Sequence, residues 1–357
     1  MPLTDDDAVD WSPTWSPDGR FVYFASSRGG TMNLWRIGID EATGRAAGRA
    51  EPITTPNAWS GGFDVAADGQ TLVFSDLDER TAIFVAGFDT AQGGITEPGR
   101  QVYQGRAINS IDLSRDGKTI AFSQRGQPWE ALGTIRADGS GWARLTDDDF
   151  YHRLPTWSPD ATRLLFYMNR GHSRLWSTRP DGSDYAEIAV PDDLHTGVYP
   201  VWSANGKQVA AAFDQGVAVL DVSTSPARVL SRFPPDIDFR PYSWSPDGRT
   251  IAGAARYAMR DQIVLLDLRE HTRRVVAEEG SSPAWLPDGQ RLLFSGLTHL
   301  SLLDVGTGRV QPLLPMPRLY DQWGRTIALS ADGRTLVYLQ SQSEGDVWMV
   351  TLSPPLQ

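Results

Sequence analysis

The side chains able to do covalent or metal chemistry are few. Cysteine is absent, which removes disulfides, thiolate nucleophiles and cysteine-held metals together. Of the five histidines, His152, His172 and His195 fall on one side of the repeating units described below. A histidine-held metal needs about three converging ligands with partners behind them. No compact ligand spacing is present, so neither a metal nor a cofactor is expected. The acid runs Asp5-Asp6-Asp7 and Asp147-Asp148-Asp149 lack the alternating acids and glycine of a calcium loop and read as solvated loop. Gly-x-Ser-x-Gly, Ser-x-x-Lys, His-Glu-x-x-His and phosphate-loop patterns are all missing. These residues point to a chain that is not an enzyme. The rival reading is a metal-dependent lyase or hydrolase centred on His152, His172 and His195, and a third is a structural subunit of an assembly.

Charge and hydropathy narrow the partners. The 33 basic and 44 acidic residues leave a net charge of −11, which disfavours nucleic acid. No apolar run approaches the roughly 18–20 residues of a membrane helix, so no membrane insertion is expected, and no basic-then-apolar leader is visible. Compartment stays open: extracytoplasmic in a membrane-anchored receptor, otherwise cytoplasmic. A monomer is expected.

The elements that must position any site are written in a repeat. Ser16-Pro17-Asp18-Gly19, Ser158-Pro159-Asp160-Ala161 and Ser245-Pro246-Asp247-Gly248 are close copies of one tetrapeptide, and looser copies bring the total to eight, with Asp or Asn at 18, 68, 116, 160, 205, 247, 288 and 332. The step of about 45 residues suits four short strands per unit. Proline presets the first turn dihedral, Asp bonds its own backbone, and glycine takes the left-handed position that closes a hairpin. A Trp or aliphatic residue precedes each turn (Trp15, Val65, Leu113, Trp157, Trp202, Trp244, Trp285, Leu329) and reads as core. The chain is therefore expected to be all-β, one β-propeller over 1–357 with eight four-stranded blades, seven being the alternative. Leu3-Thr4-Asp5-Asp6-Asp7 matches Leu145-Thr146-Asp147-Asp148-Asp149, so Leu3-Thr4 is expected to supply the outer strand of the last blade and remove an open sheet edge.

Pro13-Thr14-Trp15-Ser16-Pro17-Asp18-Gly19 followed by Ser26-Ser27-Arg28-Gly29-Gly30, and Pro155-Thr156-Trp157-Ser158-Pro159-Asp160 followed by Asn169-Arg170-Gly171, resemble the repeats of the TolB-type, WD-repeat-like β-propellers. The likeness covers nearly the whole chain. In that family the repeats occur in TolB, ahead of the hydrolase domain of prolyl oligopeptidase relatives, and in sensor domains of bacterial kinases and membrane-bound regulators. The resemblance implies the fold, with the sensor group nearest in character, and leaves function open because propellers host unrelated activities.

In such a fold the Pro-Asp-Gly turns share one face and are nearly uniform. The loops between blades share the other and vary, as a binding surface requires. The expected partner is a protein or peptide, with a small ligand as the other option, and the candidate binding residues are Asn57, Trp59, Tyr151, His152, His195, Tyr199, Asp238, Arg240, Tyr320, Asp321 and Trp323.

Overall fold

The computed structural model describes residues 2–6, 8–29, 32–54, 59–78, 80–125, 129–235, 238–258, 260–316, 324–342 and 344–352. Among them there is no helix, and the strands form eight sheets. All pairings are antiparallel, and the first two strands of each repeat are joined by the expected turn. Six of the eight turns are built alike, as at Ser114, whose Oγ donates to Asp116 Oδ1 at 2.7 Å and accepts the Thr119 N–H at 2.9 Å, while Asp116 Oδ1 accepts the Lys118 N–H at 3.1 Å; Ala66 and Leu286 replace the serine in the other two. The closing residue is left-handed throughout, including the one non-glycine, Ala161 at φ +57°.

The chain divides into two compact units, residues 1–80 with 342–357, and Thr81–Ser341. In the larger unit, five consecutive four-stranded sheets have Ile108–Leu113, Tyr151–Trp157, Val198–Trp202, Asp238–Trp244 and Ser281–Trp285 as their first strands. A sixth sheet runs Ile327–Leu329, Thr335–Ser341, Arg80–Asp89, Gly94–Arg106. First strands neighbour one another in that order, and Ile327–Leu329 returns to Ile108–Leu113, so the six sheets close into a ring. The core lies between sheets, as in the cluster of Ile83, Ile111, Phe122, Val337 and Leu339.

The smaller unit has two sheets. One comprises Asp10–Trp15, Phe21–Ser26, Asn33–Asp40 and the short strands Arg45–Ala46 and Glu51–Pro52; the other runs Glu344–Thr351, Thr71–Asp78, Trp59–Val65. Trp15, expected in the core, is 58% exposed.

The number of sheets matches the eight repeats, but strands are exchanged between the second and the last. Arg80–Asp89 pairs with Thr335–Ser341 rather than with Thr71–Asp78, and Glu344–Thr351 takes the vacated position. Leu3 and Thr4 lie in no strand; Leu3 packs on Val22, Phe24, Ile37 and Ile39 of its own unit. The outer strand of the ring-closing sheet is Gly94–Arg106 instead. Both third strands are apolar, so either fits either partner by alternation alone. The observed register fully buries Ile83, Leu336, Val337 and Leu339 and stacks Phe84 on Tyr338 at 5.4 Å.

Candidate binding site

The first strands of the ring are not regular. Their register slips about three residues before the Trp position, at Arg153/Thr156, Val198/Val201, Pro241/Ser243 and Ser281/Ala284. Leu154, Tyr199 and Ser282 occupy this point with φ of +55°, +54° and +53°. Such bulges bend a strand and re-aim its side chains. Pro155, Pro200 and Pro283 follow directly, where an absent N–H does little harm. The residue just before the bulge lies near the start of its strand, at the end of the ring that carries the inter-blade loops.

That slot, four residues before the Trp or Leu, reads Asn109, Arg153, Val198, Arg240, Ser281 and Arg325 around the ring. Arginine thus stands in alternate sheets. Arg325 is buried and reaches three other sheets: Nη1 donates to the Pro155 carbonyl and Nη2 to the Tyr242 carbonyl, both at 3.2 Å, while its backbone N–H donates to Ser110 Oγ at 3.2 Å. Its guanidinium therefore crosses the centre of the ring. Near it, burial pushes the Asp112 carboxyl up and Arg325 pulls it back; Asp112 Oδ2 accepts the Trp157 N–H at 2.7 Å.

Arg240 is 2% exposed and is ion-paired with the equally buried Asp261, which also holds Arg256 Nε at 3.2 Å. Burial alone would raise the Asp261 carboxyl, but the two guanidiniums outweigh it and hold the group below the usual carboxylate range. Tyr199 lies against Arg240, with its ring 5.8 Å from that of Tyr242, and burial drives its phenol well above the ordinary tyrosine value. Arg153 donates from Nε to Glu130 Oε2 at 2.5 Å; Glu130 is wholly buried and also accepts the Asn109 Nδ2–H at 2.9 Å. The Arg153 guanidinium lies 5.1 Å from the Tyr151 ring centre and beside Tyr167. Four consecutive sheets thus contribute two joined groups at this end, Asn109–Glu130–Arg153–Tyr167 and Tyr199–Arg240–Asp261.

Tyr151, His152, Tyr199, Asp238 and Arg240 all fall at this end. Tyr199 and Arg240 meet, and Tyr151 meets Arg153. His152 does not face the opening: it is fully buried, with Nε2 2.8 Å from Tyr185 Oη and 3.2 Å from Asp148 Oδ1, and its ring lies against Phe166. Burial lowers its basicity, partly offset by Asp148. His172 and His195 are exposed, so the three histidines do not converge. Asp238 is exposed. Asn57, Tyr320, Asp321 and Trp323 lie outside the described residues, and Trp59 is described only as backbone at the start of Trp59–Val65. Glu130, Arg153 and Arg325 did not figure among the candidate binding residues. The signal that could have found them is the arginine recurring at one repeat offset.

No family model matches the chain. Dipeptidyl-peptidase 5 of Porphyromonas gingivalis is 23% identical over 319 residues, which is 69% of this chain and 46% of that protein. An uncharacterized protein of Agrobacterium fabrum, Atu1656, is 33% identical over 129 residues, 34% of this chain and 41% of its own length. The chain thus spans less than half the length of the curated relatives it matches. One expectation needs correction here. The missing catalytic motifs pointed away from an enzyme, yet a relative along 69% of this chain is named as a peptidase. The absent motifs concern only the part of such a relative that this chain spans, so the exclusion does not stand. Among solved structures, a putative TolB from Agrobacterium tumefaciens superposes with a TM-score of 0.57 at 18% identity, over 74% of this chain and 98% of that one. The chain has the fold of the TolB-type β-propellers.

Proposed function

We propose that the six-sheet ring binds a peptide segment at the end carrying the inter-blade loops and holds it for hydrolysis, the activity named for the Porphyromonas gingivalis relative. The observation behind this reading is the set of arginines, tyrosines and buried acids that four sheets contribute at that end. Charged groups held rigid by buried partners, flanked by aromatic rings, are the composition of a recognition surface. The opposite end repeats one turn and offers little to discriminate ligands. No helix among the described residues is long and apolar enough to cross a membrane.

The test is calorimetric titration of the purified chain with short unmodified peptides, run beside an assay for release of dipeptidyl fluorophores. Tyr199→Ala should weaken binding at least tenfold, the scale of an aromatic anchor, while Asp247→Ala at the opposite end should leave affinity alone. Binding abolished by Asp247→Ala and untouched by Tyr199→Ala would reverse the assignment of the face.

A further inference from the structure

The three arginines at the equivalent slot have different fates. Arg325 is buried with its terminal nitrogens spent on two backbone carbonyls. Arg240 is buried against Asp261. Arg153 alone of the three keeps a partly exposed side chain, at 36%. Its Nε is committed to Glu130, the one acid in ion-pair distance of it among the described residues. Glu130 in turn is fixed by Asn109. The guanidinium is thus oriented by a buried acid, by the Tyr151 ring and by a hydrogen bond with the Tyr167 phenol, and its remaining terminal N–H groups are of the kind that pair with a carboxylate through two hydrogen bonds.

We propose, building on the peptide-binding reading, that Arg153 is a carboxylate receptor at the mouth of the ring. The occupant is the C-terminal carboxylate of a bound peptide or the side chain of an acidic residue within it. A polyanion does not suit the site. The chain is acidic overall, and the two neighbouring arginines of the same slot are already neutralised or buried. One fork, one carboxylate is the stoichiometry the surroundings favour. Tyr167 lies beside Arg153, so a peptide whose carboxylate sits on Arg153 would bring its preceding residue near a phenol ring.

Three probes separate the possibilities by calorimetry: trialanine, trialanine amide, and Ala-Glu-Ala amide. Trialanine binding at least tenfold tighter than its amide supports capture of the C-terminus. Ala-Glu-Ala amide matching trialanine assigns the fork to acidic side chains as well. Arg153→Gln should erase whichever preference is seen. Because that change strands the buried Glu130, Arg153→Lys is read beside it: the charge stays and the fork is lost, so the preference should fall at least threefold with the melting temperature little changed. If the amide binds as tightly as the free acid and Ala-Glu-Ala amide gains nothing, the carboxylate inference falls while peptide binding survives. If none of the three binds at millimolar concentration, both readings fall.

Discussion

Removing the carboxylate of Asp261 gives the sharpest prediction. Asp261 is 3% exposed and sits between Arg240, 2% exposed, and Arg256, whose side chain is 31% exposed. Asp261→Asn keeps the shape and one acceptor oxygen but leaves the Arg240 charge buried without its counter-ion. Breaking a buried pair in this way costs about 3–5 kcal/mol. A folding unit of this size loses roughly 2–4 °C of melting temperature per kcal/mol, so the variant should melt roughly 6–20 °C lower. The double variant Arg240→Met, Asp261→Leu removes both charges and should recover most of that loss, since well-packed apolar replacements of a buried pair are often neutral. Arg256 is exposed enough to keep its hydration. The pH sign follows from the depressed carboxyl: its contribution is complete above the unfolded value of about 4 and disappears as pH falls through the lower folded value. The gap between wild type and Asp261→Asn should therefore be full at pH 7 and close only in strong acid. Urea denaturation and calorimetry read these quantities. A single variant that loses less than about 1 kcal/mol, against the cost expected of a broken buried pair, would refute the reasoning, as would a double variant no better than the single one.

Three further outcomes are expected. Ala161→Gly relieves a left-handed backbone at the one turn lacking glycine and should raise stability by roughly 0.5–1 kcal/mol; a loss in thermal melting would mean that the Ala161 methyl, which packs near Trp157 and Leu164, matters more than its φ. Asp116→Ala removes bonds to Ser114 Oγ and the Lys118 N–H and should cost about 1–2 kcal/mol without altering peptide affinity at the other end, so an affinity change in calorimetry would count against the division of roles. His152 is held neutral by burial, with Asp148 opposing; its folded value lies below the unfolded one, so the unfolded chain takes up the proton first and stability should fall as pH drops below about 6.5. An unchanged slope between pH 7 and 5 in His152→Gln would remove the histidine from that account.

The fold was legible wherever a residue solves a backbone problem. Ser-Pro-Asp-Gly specifies a turn whatever surrounds it, so eight turns gave eight sheets. Strand exchange was not legible, because Ile83-Phe84-Val85 and Val347-Trp348-Met349 present the same alternation and the choice between them is made by long-range burial of Leu336 and Leu339. At the candidate site the loop aromatics drew attention by type. The position that matters most in the inner strands is defined by a bulge, and a bulge at Leu154 or Tyr199 has no compositional mark of its own. Arg240 was found as a loop-adjacent cation; Arg153 and Arg325 needed the observation that all three share one offset from the Trp or Leu. His152 looked like a rim residue because it falls between one repeat and the next, whereas its strand turns it inward onto Phe166.

The ring-closing sheet has a kinetic consequence. Thr90 Oγ donates to the Gly333 carbonyl at 3.0 Å across 243 residues of chain, and the Arg325 N–H finds Ser110 across 215. Contacts of such span are slow to form because the loop entropy must be met before they reward it. During synthesis at roughly 5–20 residues per second, the strand Arg80–Asp89 would wait roughly 12–50 s for Thr335–Ser341 to emerge. Throughout that interval Ile83, which ends wholly buried, belongs to an apolar strand with an unpaired edge, the kind of template on which chains associate wrongly. Yield in a cell should therefore depend on chaperone capacity more than on the stability of the finished ring, and refolding from urea should lose material as protein concentration rises. Arg325, whose guanidinium can meet Pro155 and Tyr242 together only in a closed ring, marks the last step of that process.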